Sequence, residues 1–226
     1  MAISAIDTKV DEARELIIES LRQAPEACVT CSFQAEDMVV LDLVREVQPD
    51  IPVLFLETGY HFAEVYRYRD EMTARYALNL INLSARQSVA EQEAQFGILN
   101  QSQPDRCCKL RKVEPLFAAL EKYETWFTGL RRVQSPTRAN LQPSESFALP
   151  SGKVLLKVSA LATWSDQEVW AYARGHDIPL LSLYDAGYTS IGCEPCTALP
   201  LDPENHRSGR WAGRKLECGI HIAGSH

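Results

Sequence analysis

The sequence predicts an α/β fold: a parallel sheet with helices on both faces. Three observations carry this. Short β-rich apolar runs alternate with helical periodicities along the chain. Strand and helix follow one another as β-α-β units, which a parallel sheet requires. The 226 residues, 46% of them hydrophobic, suffice for one large domain or a domain with an appendage.

Residues 7–23, DTKVDEARELIIESLRQ, place Val10, Ala13, Leu16, Ile17 and Leu21 at helical spacing, with Asp7 or Thr8 as the cap. ACVTCSF at 27–33 reads as a buried strand and EDMVVLDLVREV at 36–47 as a helix. IPVLFLET at 51–58 is a second strand, 60–76 a second helix and ALNLINL at 77–83 a third strand. ETWFTGL at 124–130 and KVLLKVSAL at 153–161 supply the fourth and fifth. Between them, residues 133–152 hold Pro136, Pro143, Pro150 and several serines, and read as a mobile surface loop. From about 197 onward periodicity fades into a Pro/Gly/Arg-rich tail. The domain division expected is 1–205 for the α/β unit and 206–226 for the tail.

The formal charge of −7 argues against general nucleic-acid affinity, which needs an extended basic surface. It leaves room for one small anion, because basic residues gather locally in KLRK (109–112), GLRR (129–132) and HRSGRWAGRK (206–215). No 18-residue apolar run is present, so no membrane span is expected. The first residues do not read as a signal peptide, and a cytoplasmic protein is expected. Monomer and homo-oligomer both remain open.

In such folds ligands bind beyond the carboxyl ends of the strands. The first strand runs into SFQAED (32–37), where a helix N-terminus offers free N–H groups and a positive dipole end. No GxxxxGK[ST] is present, so a Walker-type triphosphate site is not supported. The second strand ends in LETGYHF, where Thr58-Gly59 makes a similar turn. Two such turns would converge on one crevice.

Seven cysteines are many for this length. In a reducing compartment they are metal ligands or nucleophiles before they are disulfides. PDRCCKLRK supplies Cys107 and Cys108; GCEPC supplies Cys193 and Cys196. Two pairs imply one tetrathiolate site, with zinc and an iron–sulfur cluster as candidates. Pro104 suits the first turn of a helix, which sets Cys107 and Cys108 roughly 100° apart around its axis. Thiolates on one zinc must approach to about 3.8 Å, given Zn–S bonds of about 2.3 Å. Neighbouring helical cysteines meet that poorly, whereas a [4Fe–4S] cluster places its ligands on separate irons. Cys28 and Cys31 also form C-x-x-C, but inside a strand their odd spacing sends them to opposite faces, as buried structural thiols.

The CC…CxxC pairs, SFQAED, LETG, TGLRR and the terminal ECGIH, in this order, resemble the iron–sulfur, thioredoxin-dependent branch of the phosphoadenylyl-/adenylyl-sulfate (PAPS/APS) reductase family. The resemblance runs from about residue 25 to the tail. It implies a Rossmann-like fold related to the adenine-nucleotide α-hydrolases, a [4Fe–4S] cluster on Cys107, Cys108, Cys193 and Cys196, and thioredoxin as electron donor. The reaction implied is reduction of 5′-adenylyl sulfate (APS) to sulfite and AMP, in sulfate assimilation. Family members using the 3′-phosphorylated substrate generally lack the paired cysteines; some cluster-bearing members accept both. The first turn departs from the usual glycine- or serine-rich form, since Cys31 precedes Ser32 and Phe33 follows.

The closing RKLECGIHIAGSH gives Cys218 its place in this scheme. A thiolate is the natural attacker of the substrate's sulfur, with AMP leaving and S-sulfocysteine formed. Gly213, Gly219 and Gly224 would let the tail move. Glu217 opposes thiolate formation; His221, Lys215 and Arg214 favour it. Lys112, four residues after Cys108, faces the same side of a helix and would bridge cluster and sulfate; Glu114-Pro115 is expected to end or kink that helix. Arg207 and Arg210 resemble the family's phosphosulfate-binding arginines. Arg131, Arg132 and Arg138, with Ser32, Phe33, Gln34, Thr58, Gly59 and Gly129, complete the expected substrate contacts. The cluster's expected role is electrostatic and structural. His176, His206 and His226 read as ordinary surface residues. Two other classes stand beside this one: a zinc-stabilised nucleotide-binding protein without redox chemistry, and an ATP-pyrophosphatase-like enzyme, whose SGGxDS-type loop SFQAED does not provide.

Overall fold

The computed structural model describes residues 5–202, 205–213, 215 and 217–221. Six strands form one sheet: β1 (Ala27–Thr30), β2 (Pro52–Glu57), β3 (Asn79–Ser84), β4 (Thr125–Phe127), β5 (Ser144–Ala148) and β6 (Val154–Val158). Their order is β3-β2-β1-β4-β6-β5, parallel throughout except that β5 runs antiparallel to β6. The chain lays β2 and β3 on one side of β1 and β4 on the other. The crevice between the β1 and β4 ends is therefore a topological switch point.

The sheet divides the core in two. Odd positions of β1 and β2 (Val29, Val53, Phe55) face α1 (Ala5–Gln23), α2 (Ala35–Val47) and α3 (Ala63–Tyr76). Even positions (Cys28, Leu54) pack with Trp126, Phe147 and Leu116. This is the two-residue strand period acting on a sheet covered on both sides. Cys28 and Cys31 accordingly fall on opposite faces, both buried.

A run of short helices follows β3: α4 (Val89–Phe96), closed by a Ser88–Glu91 capping box, α5 (Leu99–Ser102) and α6 (Pro104–Cys108). Pro104 occupies the first turn of α6. The chain then widens into a π-helical turn, Lys109–Val113, and continues as α7 (Glu114–Leu120). Of the two outcomes expected at Glu114-Pro115, an end or a kink, the helix does not end there. Pro115 falls in the first turn of α7, where proline is tolerated, and the break in the α-ladder takes the form of the π-turn before it. α8 (Asp166–Gly175) follows β6, with a Ser165–Glu168 capping box.

The segment 133–152 is also not the bare loop expected. It makes two 3₁₀ turns and then β5, whose Phe147 points into the core between Phe117 and Trp126. A turn through Gly152 closes the β5–β6 hairpin, with Leu149 N donating to Lys153 O at 2.8 Å. Prolines 143 and 150 flank the strand rather than interrupt it, which an edge strand permits.

Candidate active site

A cavity of about 380 Å³ opens at the carboxyl ends of β1, β2 and β4. Its first wall is the turn between β1 and α2. Ser32 donates to Asp37 from both N (2.7 Å) and Oγ (2.6 Å). Gln34 Oε1 accepts from Ile191 N at 2.8 Å, tying this turn to the cysteine-bearing segment. Phe33 departs from expectation: it is fully buried at φ 62°, edge-on to Phe55 and Tyr68, and does not line the cavity. A bulky residue in the left-handed region is uncommon; here the core holds its ring. Ala35 N, at the start of α2, donates to Tyr184 Oη. Burial first, then Glu36, pushes the Asp37 carboxyl up, against the hydrogen bonds from Ser32 and Gly129.

The second turn serves the cysteines. Thr58 is buried, and its Oγ1 accepts from Cys193 Sγ at 3.4 Å. Gly59 takes φ 72°, packs toward Val89 and Arg111, and stays off the cavity wall. Arg111, from the π-turn, donates through Nε to Thr58 O. Residues His61 and Cys193 pair as an isolated β-bridge, and Glu194 N donates to Tyr60 O at 2.7 Å.

Cys107, Cys108 and Cys193 are buried and Cys196 is half-buried; all seven cysteines are free thiols. Burial pushes the Cys107 thiol up to about 11, and the neighbouring Cys108, Cys193 and Cys196 add to it. Burial pushes Cys193 up too, but the Lys112 charge and the Thr58 hydroxyl outweigh it and leave the thiol below its ordinary value. Four thiols from two segments, three of them raised in part by their cysteine neighbours, lie beside a buried lysine and fit a multi-thiolate group. Among the described residues no three His, Cys, Asp or Glu side chains converge to hold a single ion.

Lys112 is 9% exposed and lines the cavity. Burial opposes its charge, yet Cys193, Cys108 and Cys218 hold the ammonium above its ordinary range. Arg210 is buried against Gly192 and lies 4.5 Å over the Trp211 ring; its Nε has no hydrogen-bond partner among the described residues. Burial and the nearby Arg138 and Arg210 bring Arg207 down to about 10. Desolvated guanidiniums crowded this way favour an anion. Arg138 also lines the cavity, but Glu217 holds it. Arg131 is buried in an ion pair with Asp166 at 2.6 Å, and Arg132 turns away to donate to Leu141 O at 2.8 Å.

The tail is docked. Cys218 lines the same cavity as Lys112, Arg207 and Arg210. Lys215 donates to Asp105 (2.7 Å) and to Cys108 Sγ (3.4 Å). His221 stacks on Trp126 at 5.3 Å; burial holds its imidazole well below the usual range, so it is neutral. Arg214, Gly224 and His226 lie outside the described residues. Several cavity residues carry no motif: Gln134, Asp166, Tyr184 and His206. His206 is exposed, as expected of a surface residue, but it has a partner the sequence did not show: its ring lies 3.3 Å from Asp166. His176 stacks on Tyr172 at 3.9 Å.

The phosphoadenosine phosphosulfate reductase domain model matches residues 26–199. An adenosine 5′-phosphosulfate reductase of Rhodococcus opacus is 48% identical over 190 residues, covering 83% of this chain and 76% of that protein. The Streptomyces coelicolor protein of the same name is 46% identical, covering 90% and 87%. Among solved structures, the phosphoadenylyl-sulfate reductase of Candida auris superposes with TM-score 0.70 at 25% identity, over 88% of this chain and 99% of that one. A Candida glabrata FMN adenylyltransferase matches with TM-score 0.66 at 15% identity, over 99% and 81%, and shares the fold alone.

Proposed function

This chain belongs to the phosphoadenosine phosphosulfate reductase domain family, and from that premise we propose that it reduces 5′-adenylyl sulfate to sulfite and AMP through Cys218. The observation that carries the reading is the company Cys218 keeps: it lines the same cavity as Lys112, Arg207 and Arg210. The Cys218 thiolate attacks the sulfur of the anhydride, an S–S bond forms, and the S–O bond to AMP breaks. A thiol of thioredoxin then attacks Cys218 Sγ and sulfite leaves. The second thioredoxin thiol closes the disulfide, so the two electrons come from thioredoxin.

The arginines and Lys112 bind the phosphosulfate and offset charge as the AMP phosphate becomes a leaving group. Neutral His221, stacked on Trp126, seats the tail. Cys107, Cys108, Cys193 and Cys196 would hold a [4Fe–4S] cluster, which supplies electrostatic and structural support to the site when bound. Support for the cluster is the donor set itself: four thiols from two segments, two of them sequence neighbours, three buried and one half-buried. No described helix is long and apolar enough to cross a membrane, and we place the reaction in the cytoplasm, where reduced thioredoxin is available.

The test is thioredoxin-dependent sulfite release, comparing APS with its 3′-phosphorylated relative. Release from APS with little from the 3′-phosphorylated compound supports the reading. Equal turnover assigns dual specificity, and turnover of the 3′-phosphorylated compound alone overturns the substrate assignment.

A further inference from the structure

The tail makes a contact that the reaction itself does not use. Glu217, the residue before Cys218, is gripped by Arg138: Nε donates to Oε1 at 2.9 Å and Nη2 to Oε2 at 2.7 Å. Thr137 Oγ1 donates to Oε1 at 3.0 Å. The two charged side chains are only 11% and 8% exposed. An ordinary surface pair fixes little, but a bidentate guanidinium–carboxylate pair shielded from water also fixes geometry. The turn that carries Arg138 and Thr137 is itself held, with Ser135 capping it and Arg138 donating to Gln134. Glu217 is thus attached to a part of the cavity wall one residue away from the reacting sulfur.

The pair also changes the charge of the cavity. Burial and then Arg138 push the Arg207 guanidinium down, and Glu217 offsets part of that. With the tail seated, a carboxylate already occupies one of the guanidiniums. Arg207, Arg210 and Lys112 line the same cavity as Cys218.

We infer that Glu217 is a positioning residue: its ion pair with Arg138 latches the tail shut and seats Cys218 in the cavity before substrate arrives. The inference rests on the reading of Cys218 as the nucleophile. The latch must open for the sulfo-bearing thiol to meet its reductant, so the same contact that speeds the first half-reaction is broken in the second.

Alkylation of Cys218 by iodoacetamide in the substrate-free holoenzyme reads the latch directly, followed on the Cys218 peptide by mass spectrometry. Glu217→Gln accelerates it about tenfold, as expected when closure loses one decade of its equilibrium constant. Thr137→Val, which removes one donor and keeps both charges, gives a smaller acceleration, and Glu217→Asp restores part of the protection. In single turnover with APS, Glu217→Gln forms the Cys218 adduct more slowly while AMP binds no more weakly. A merely structural role would change the melting temperature and AMP affinity instead. Wild-type alkylation rates in both Glu217→Gln and Thr137→Val overturn the latch. If wild-type enzyme forms no adduct on Cys218, the nucleophile reading is what fails, and the alkylation rates still decide whether the contact holds the tail.

Discussion

Gly129 lies so close to Asp37 that a Cβ on it would sit 2.2 Å from the carboxylate Oδ1. The β4 end and the start of α2 therefore meet backbone to side chain. The Gly129 N–H donates to the same carboxylate that Ser32 holds from the other side. One half-buried acid ties both lips of the switch-point crevice.

Replacing Gly129 by Ala should force these lips apart. Overpacking of a tight site costs about 1–3 kcal/mol, and the nearest neighbours include α2 backbone, which yields poorly. A urea titration should show the midpoint lowered with the slope kept, and AMP binding weakened. An unshifted midpoint would mean that the crevice is softer than its geometry indicates.

Lys112→Ala should slow adduct formation by about 10²-fold or more, the usual effect of losing one preorganised charge at a developing anion. Visible absorption should show the metal group retained. Unchanged single-turnover rates would remove Lys112 from the chemistry.

Arg210→Ala should weaken binding of APS and AMP. A buried, hydrogen-bonding charge partner lost from an interface costs about 2–5 kcal/mol. Arg132→Ala should leave affinity within about 0.5 kcal/mol, as for a surface substitution away from special features, because its Nε is committed to Leu141 O. Isothermal titration with AMP separates the two; equal losses would contradict the placement of these arginines.

Acid stability should depend on Glu168. Burial raises its carboxyl, but hydrogen bonds from Lys9 and the Ser165 cap outweigh that and hold it below its ordinary 4.5. Its folded value is thus depressed. The stabilisation is fully present above about 4.5 and is lost as pH falls through the lower folded value. Glu168→Gln should flatten that acid limb in melting curves taken from pH 6 to 3 (approximate bounds set by the ordinary carboxylate range). An identical limb in the variant would contradict the assignment.

What local patterns encode was legible. Strand alternation and helix periodicity place β1 to β3, α1 and α2, and the two cysteine pairs carry the proposal of a shared thiolate site. The first turn was legible as cavity lining through Ser32 and Gln34, though Phe33 shows how a residue inside the same motif can belong to the core. The unread parts depend on distant partners. β5 has only Phe147 as an inward anchor, and prolines at its flanks mimic a loop. The π-turn carrying Arg111 and Lys112 has no period of its own to betray it. Glu217 looked like a hindrance to its neighbour thiol; Arg138, far away in sequence, turns it into an anchor.

The most direct measurement is to expose the enzyme to APS without reductant, quench, and map the modified side chain by mass spectrometry. The account predicts a sulfo group on Cys218, absent in Cys218→Ser and discharged as sulfite when reduced thioredoxin is added. A sulfo group on any other side chain, or turnover by Cys218→Ser, would contradict it.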